Sequence, residues 1–320
     1  MIQLDILVLE DASPAALGVT LDVMDAADRL SGRPVFNWRV VTGAGQAACL
    51  RGGVSLPARP LAEAEPRDLV VVLGLGAATP AEVMARMARP DAMAAASWLG
   101  DAWRRGATVA ASCTGVFLLG CAGLLDHRRC TTTWWLTPQL KAMFPDCRVE
   151  ADAMLTVEDR IWTAGAAFAH IDLVLALLAD RAGPGLAEDV ARHVVVERRA
   201  SQARYVIPAF LAAQDPVARQ VESHVRRCLA APVSLAELAR ETGTTSRTLS
   251  RRLVQATGLS PMKFVQKIRV DAALHLLQTT RLPLDAVAEQ VGFEDCSALY
   301  RLVRRHTGKA PGAFRGREGG

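Results

Sequence analysis

The pattern that most constrains this chain is written twice in its last third. SLAELARETGTTSRTLSRRLVQATG (234–258) is answered by PLDAVAEQVGFEDCSALYRLVRRHTG (283–308). In each copy a helix with apolar residues at helical spacing stops at a glycine, Gly243 or Gly292. A short polar turn follows, then a second helix with a Leu-x-Arg core, Leu249–Arg251 or Leu299–Arg301. Glycine in the turn supplies the positive φ that lets two helices meet at a steep angle, the geometry of a helix-turn-helix. Each second helix opens with small polar residues and carries arginines along its length, which suits a helix entering a DNA major groove. Pro261–Leu277 between the copies reads as one amphipathic helix of roughly 25 Å at about 1.5 Å per residue. A connector of that length can set two recognition helices in grooves about 34 Å apart. The competing reading of these residues is an all-α protein-interaction module with surface arginines.

Charge agrees with DNA as the partner. The chain of 320 residues carries a net +4, but residues 216–320 hold 17 Lys+Arg against 9 Asp+Glu, which leaves residues 1–215 at −4. A basic module joined to a mildly acidic one directs a polyanion to the C-terminal part. The length suits two domains. The seven cysteines are odd in number and form no C-x-x-C pair. That speaks against a disulfide framework and a zinc site, and for a reducing compartment. The N-terminus MIQLDILVLEDASP reads as a strand instead of a signal peptide, and no apolar run is long enough to span a membrane, so a cytoplasmic location is expected.

The first 180 residues alternate short apolar runs with amphipathic segments. Leu4–Leu9, Val35–Val41, Leu69–Leu73 and Thr108–Ala111 read as buried strands. Ala15–Leu30, Ala81–Ala88 and Ala92–Arg105 read as helices. A hairpin is expected over Val149–Val157 and Arg160–Thr163, then helices at Phe168–Arg181 and Leu186–Val194. The alternation predicts a parallel sheet covered on both faces. The Pro-interrupted stretch 196–216 is expected to be a linker between a domain at 1–195 and one at 217–320.

The C-terminal residues resemble the AraC/XylS family of transcriptional regulators. The resemblance runs from about Val217 to Arg315. It rests on Leu238-Ala-x-x-x-Gly243, Ser246-Arg-x-Leu-x-Arg251, Gly-Leu-Ser-Pro (258–261), Ile-Arg-Val-x-x-Ala (268–273), Val-Gly-Phe (291–293) and Pro-x-x-Phe-Arg (311–315). It implies base reading by Arg247 and Arg251 in the first unit and by Cys296, Ser297 and Arg301 in the second, with Ser246 and Thr248 as further DNA-binding residues. Phosphate contacts are expected from Lys263, Lys267, Arg304 and Arg305. It also implies promoter duplex DNA as partner, a homodimer, and RNA polymerase as a further partner class.

Residues 4–181 resemble the PfpI-type branch of the class I glutamine-amidotransferase-like superfamily. That branch implies a flavodoxin-like α/β sandwich ahead of the all-α domain. The resemblance is carried by Ala-Ser-Cys-Thr-Gly (111–115), where Cys113 sits at a strand-to-helix junction, by Ala-Gly-Leu-Leu-Asp (122–126) and by Ala164-Gly165…Asp172. In catalytic relatives a histidine follows the elbow. Here the run is Cys-Thr-Thr-Thr-Trp-Trp (130–135), with Thr133 at that place, and Ala16 stands where relatives hold a glutamate. Threonine cannot accept a proton from a thiol near neutral pH, so no positioned base is evident. His170 is the one candidate substitute, with a structural role as its alternative. The expectation is a non-enzymatic domain without metal or cofactor that binds a small effector near Cys113. Gly74, Gly76, Thr114, Thr133 and Trp134 would line the cavity, although Trp134 and Trp135 read equally well as core aromatics. The N–H groups beside Cys113 suit a carboxylate or an amide. The rival readings are a cysteine-dependent hydrolase or amidase and a thiol redox sensor.

Overall fold

A computed structural model describes residues 1–43, 45–213 and 215–315. The chain divides into two compact units, Met1–Gln202 and Ala203–Gly320.

In the first unit a seven-stranded sheet runs in the order Leu155–Glu158, Ile161–Ala164, Thr108–Ser112, Leu69–Val72, Ile2–Leu7, Phe36–Thr42, Arg59–Pro60. All neighbours are parallel except the hairpin formed by the first two. Parallel strands need crossover helices, which cover both faces and bury the strands on either side. The covering helices here are α1 (Pro14–Ser31), α2 (Pro80–Met87), α3 (Pro90–Arg104), α4 (Val116–Cys121), α5 (Thr137–Met143), and α6 (Ala169–Ala182) and α7 (Pro184–His193), which follow the last strand. Alternate strand residues Leu7, Val70, Val72, Val109 and Ala111 share a core with Val83 of α2, Leu99 of α3 and Phe117 of α4. On the opposite face α1, α6 and α7 pack together, with α6 against the sheet. Thr108–Ser112 is buried along its whole length, so the elbow that follows it leaves from the middle of the sheet.

The four long strands, the second strand of the hairpin and the flanking helices lie within a few residues of their sequence expectations, while the first strand of the hairpin starts at Leu155, six residues later than expected, because Val149 pairs with Cys130 instead. The edge strand Arg59–Pro60, the hairpin Ala47–Cys49/Ser55–Pro57 and the pair Arg129–Cys130/Arg148–Val149 were not anticipated. Each is two or three residues long, too short to carry a period.

The second unit is all helical: α8 (Pro208–Ala212), α9 (Pro216–Arg227), α10 (Leu235–Glu241), α11 (Ser246–Thr257), α12 (Pro261–Thr279), α13 (Leu284–Gln290) and α14 (Cys296–Thr307). It begins inside the expected linker. Pro208 and Pro216 open helices there, at the position where a missing N–H costs nothing, instead of interrupting the chain. Ala212 of α8 belongs to the core formed by Val221, Leu238, Leu249, Leu253, Phe264 and Ile268. A second core gathers Val270, Ala273, Leu277, Val287, Leu299 and Val303. Helix α12 contributes its first half to one core and its second half to the other, so one rod of about 28 Å carries both helix-turn-helix units.

The two units are built alike. Thr245 caps α11 by accepting the Thr248 N–H (3.2 Å), and Asp295 caps α14 by accepting the Ala298 N–H (2.7 Å). Both helices end at a left-handed glycine, Gly258 and Gly308, each with φ 73°. The turn glycines Gly243 (φ 63°) and Gly292 (φ 76°) have the expected backbone. Gly292 is the more constrained, because a Cβ there would lie 2.3 Å from the Leu229 carbonyl oxygen. Arg269 of α12 donates to the Gly292 carbonyl (2.9 Å) and the Ala231 carbonyl (2.6 Å), so it ties the second turn to the loop ahead of α10. Arg269→Met leaves both carbonyls without that donor. It should destabilise the C-terminal unit by about 1–3 kcal/mol in urea unfolding, and an unchanged midpoint would refute this role.

Candidate functional site

Two sites emerge, one in each unit. On the helical unit Arg247 and Arg251 stand four residues apart on α11, exposed, opposite the buried Leu249 and Leu253. The corresponding face of α14 exposes Ser297, Arg301, Arg304 and Arg305, opposite Leu299 and Val303. No salt bridge joins any of these five arginines to a carboxylate among the described residues. Ser246, Thr248 and Cys296 are half-buried at the helix starts, and Asp285 beside Cys296 pushes its thiol pKa up. Lys263 is exposed at the start of α12.

Lys267 departs from expectation. It is 5% exposed, and its Nζ donates to the Ala203 carbonyl (2.5 Å), so it is a packing residue and not an outward phosphate contact. Helical spacing alone did not show that the segment before α8 would cover that face of α12. Arg252, next to Arg251, is also withdrawn: it pairs with Asp215 (2.7 Å), the residue that caps α9.

The other site is the elbow. Cys113 adopts φ 54°, a left-handed backbone that non-glycine residues rarely take. It is held there by close approaches that only glycine allows. A Cβ on Gly115 would lie 2.6 Å from the Leu73 carbonyl oxygen, and one on Gly74 would lie 3.3 Å from the Cys113 Cβ. The Cys113 N–H donates to the Gly165 carbonyl (2.9 Å), and its carbonyl accepts from the Thr132 hydroxyl (2.8 Å). The thiol faces a cavity of about 190 Å³ whose walls include Ser13, Ala16, Gly74, Gly76, Thr114 and Ala167, with Arg51 and Trp135.

Gly74, Gly76, Cys113 and Thr114 therefore line the cavity, whereas Thr133 and Trp134 do not. Thr133 is 0% exposed, and its hydroxyl has no hydrogen-bond partner among the described residues. Trp134 is buried edge-on against Trp135 (centroids 5.0 Å apart), and it is Trp135 that reaches the cavity, its indole N–H on the Ala78 carbonyl (2.9 Å). The loop turns tightly enough that adjacent residues part company, which the run Thr-Trp-Trp could not reveal. Thr114 has a structural duty as well: its hydroxyl accepts the Leu75 N–H (2.8 Å) and so holds the glycine loop over the thiol. Arg51 was missed. It sits at the tip of the short hairpin, ahead of Gly52 and Gly53, and only the fold brings that tip to the elbow.

No group in the cavity is poised as a base. His170 is 1% exposed and lies between two hydroxyls. Thr20 gives its own proton to the Ala16 carbonyl (2.9 Å), so it must accept from His170 Nε2–H (2.7 Å). Nδ1 then accepts from the Ser112 hydroxyl (2.8 Å). Both nitrogens are occupied, and burial lowers the imidazole pKa to about 4. Burial also pushes the Cys113 thiol up, against smaller opposing effects from the Ala167 and Thr114 backbone and from Arg51. A helix that follows a cysteine ordinarily eases its thiol toward the thiolate. That helix begins as a 3-10 turn, and desolvation outweighs it.

Gln202 completes the site from behind. Its amide nitrogen donates to the carbonyls of Thr132 (2.8 Å) and Ala151 (2.9 Å), and its amide oxygen accepts the Ala166 N–H (3.3 Å). A Cβ on Gly165 would lie 2.4 Å from that oxygen. The last residue of the first unit thus holds both loops that support Cys113.

His170 generates a pH prediction. Its folded pKa lies below the ordinary value of 6.5, so the unfolded chain takes up the proton first as pH falls. Its contribution is whole above about pH 6.5 and is lost toward about pH 4, on the order of 3 kcal/mol. The stability difference between wild type and His170→Gln should shrink by that order across the window; a constant difference would contradict the buried neutral imidazole.

Known proteins match both units. A helix-turn-helix domain family model covers residues 238–317, and the DJ-1/PfpI family model covers residues 20–180. The HTH-type transcriptional regulator GlxA of Rhizobium meliloti is 26% identical over 297 residues, covering 92% of this chain and 89% of its own length. The HTH-type transcriptional regulator CdhR of Pseudomonas aeruginosa is 29% identical over 285 residues, covering 87% of this chain and 81% of its own. A crystal structure of an AraC family transcriptional regulator from Pseudomonas putida matches 61% of this chain and 100% of its own, with a TM-score of 0.52 at 26% identity. The chain belongs to the DJ-1/PfpI family and carries that domain ahead of an AraC-type helix-turn-helix domain.

Proposed function

We propose that this protein is a sequence-specific DNA-binding transcriptional regulator whose N-terminal unit binds a small effector without turning it over. The carrying observation is the duplicated helix-turn-helix mounted on α12, with unpaired arginines on the exposed faces of α11 and α14. The relatives that span most of the chain, GlxA and CdhR, are named as transcriptional regulators, and that role comes to this chain with them. Promoter duplex DNA is the partner, and a homodimer would place a pair of such modules on one operator.

The reading of the N-terminal unit as a non-enzyme rests on the elbow. A nucleophilic cysteine needs an ionised thiol and a group to move protons. Here burial keeps the thiol protonated, the nearest imidazole is committed to two hydroxyls, and a threonine and an alanine stand at the places of the expected histidine and glutamate. What remains is a small, largely preformed cavity, the form a ligand site takes.

Effector binding has a covalent route to the DNA-binding unit. Gln202 supports the two loops behind Cys113, and the next residue, Ala203, gives its carbonyl to Lys267 of α12. A ligand that shifts either loop changes the anchoring of Gln202 and so biases the rod that carries both recognition helices. For a metabolite that alters operator affinity in the intact chain, Gln202→Ala should leave metabolite binding within about threefold while removing most of the shift, since coupling typically amounts to about 1–3 kcal/mol. A shift of undiminished size would reject this route.

DNA binding is tested by substitution. Arg251→Ala or Arg301→Ala should cost about 1–3 kcal/mol on the cognate site and relax sequence preference. Arg304→Ala should weaken cognate and random DNA alike and flatten the salt dependence. Equal losses on both DNAs for all three variants would overturn the division between base reading and phosphate anchoring.

A further inference from the structure

Among the described residues Arg51 is the one charged side chain lining the elbow cavity. It is present by construction. The hairpin that carries it is docked on the loop that precedes α1, with Asp11 N–H on the Cys49 carbonyl (3.1 Å) and Arg51 N–H on the Ala12 carbonyl (3.1 Å). Gly52 (φ 83°) and Gly53 (φ 78°) then turn the chain back, and neither would meet another atom through an added Cβ, so they serve the turn itself. The hairpin tip is thereby held at the mouth of the cavity. No carboxylate pairs with Arg51 among the described residues, whereas its neighbours Arg86 and Arg89 are paired with Asp91 and Glu10.

The rest of the wall is small and mostly apolar: Ala16, Ala77, Ala78 and Ala167, closed on one side by the indole of Trp135. Ser13 adds a hydroxyl that does not cap α1. The volume of about 190 Å³ lies below the roughly 300–1,000 Å³ of sites that hold drug-sized molecules. Space for a few heavy atoms, one arginine at the mouth, no lining carboxylate and alanine walls specify charge, size and polarity together. A cation would meet Arg51 with no carboxylate on the cavity wall, among the described residues, to offset the repulsion. A carboxylate takes up its planar fork of donors.

Resting on the sensing role proposed for this unit, we infer that the effector is a small carboxylate with a short apolar body. Its carboxylate sits on Arg51, and its body lies between the alanines and Trp135, above the thiol of Cys113. Recognition is non-covalent, so Cys113 is a wall of the site and not a reagent.

The test uses the full chain and three matched probe sets: unbranched carboxylic acids of three to five carbons, their primary amides, and the primary amines of the same length. Thermal unfolding is followed against probe concentration, since a ligand bound to the folded state raises Tm with concentration. The acids are expected to raise Tm and the amides and amines to leave it unchanged. Arg51→Gln should weaken the acids by about ten- to hundredfold, the range for loss of a charged hydrogen-bonding partner, while Arg51→Lys recovers part of the effect. Arg51 is exposed and bears no ion pair among the described residues, so the unliganded Tm of these variants should match wild type. Stabilisation by amides or amines that is indifferent to Arg51→Gln would overturn the carboxylate assignment and leave the sensing role standing. A chain that unfolds cooperatively but responds to none of the three sets would overturn this inference, while the sensing role is judged separately by a metabolite-dependent shift in operator affinity.

Discussion

The left-handed turn at Cys113 is the constraint around which the N-terminal unit is arranged. A non-glycine residue in that region costs on the order of 1–3 kcal/mol and persists only where its surroundings over-determine it. Here they do. Gly115 lies against the Leu73 carbonyl, Gly74 lies against the cysteine itself, and Gly165 accepts the Cys113 N–H while Gln202 covers it. The loops that follow three strands of the sheet must therefore meet at one point, above the middle of a parallel sheet, where such folds place their ligand sites. Ala167 (φ 31°) on the cavity wall and Asp11 (φ 65°) beside it are also left-handed, so with Cys113 the site holds half of the six such non-glycine residues among those described.

An enzyme would use that arrangement to expose a nucleophile. This chain keeps the geometry, and among the described residues neither a histidine nor a carboxylate lines the cavity of the thiol. Burial favours the neutral thiol, and His170 is neutral for the same reason, fixed between Thr20 and Ser112 as part of the core. What remains is a backbone fixed from several sides, by Thr132, Gly165 and Gln202. The helical unit uses rigidity differently. Its two small cores would be marginal apart, and sharing α12 makes each buttress the other. Paired arginines such as Arg252 and Arg269 stabilise the frame, while those on the outer faces of α11 and α14 remain available to phosphates and bases.

Much of this was legible in the sequence because it rests on local patterns. The Leu-Val-Val-Val run of a buried strand, the glycines at 243 and 292, and the strand-to-helix junction at Cys113 each announce a backbone shape through chemistry that few other residues supply. Legibility ended where a residue's role depends on what arrives from far along the chain. Lys267 has the spacing of an outward phosphate contact until Ala203 covers it. Arg51 looks like a turn residue until the hairpin docks on the loop before α1. Trp134 and Trp135 are adjacent and identical in type, and only the 3-10 turn between Thr133 and Thr137 decides which one meets the cavity. Pro208 and Pro216 read as interruptions and are helix openings, because a proline's meaning depends on whether a helix follows it.

The account stands on both helix-turn-helix units reading the same face of one duplex from a single rod. Hydroxyl-radical footprinting of the full chain on a selected operator tests that most directly. It should show two protected segments centred about 10–10.5 base pairs apart, one helical turn, for each bound module. Protection confined to one segment, or two segments at a separation that a rod of about 28 Å cannot span, would contradict it.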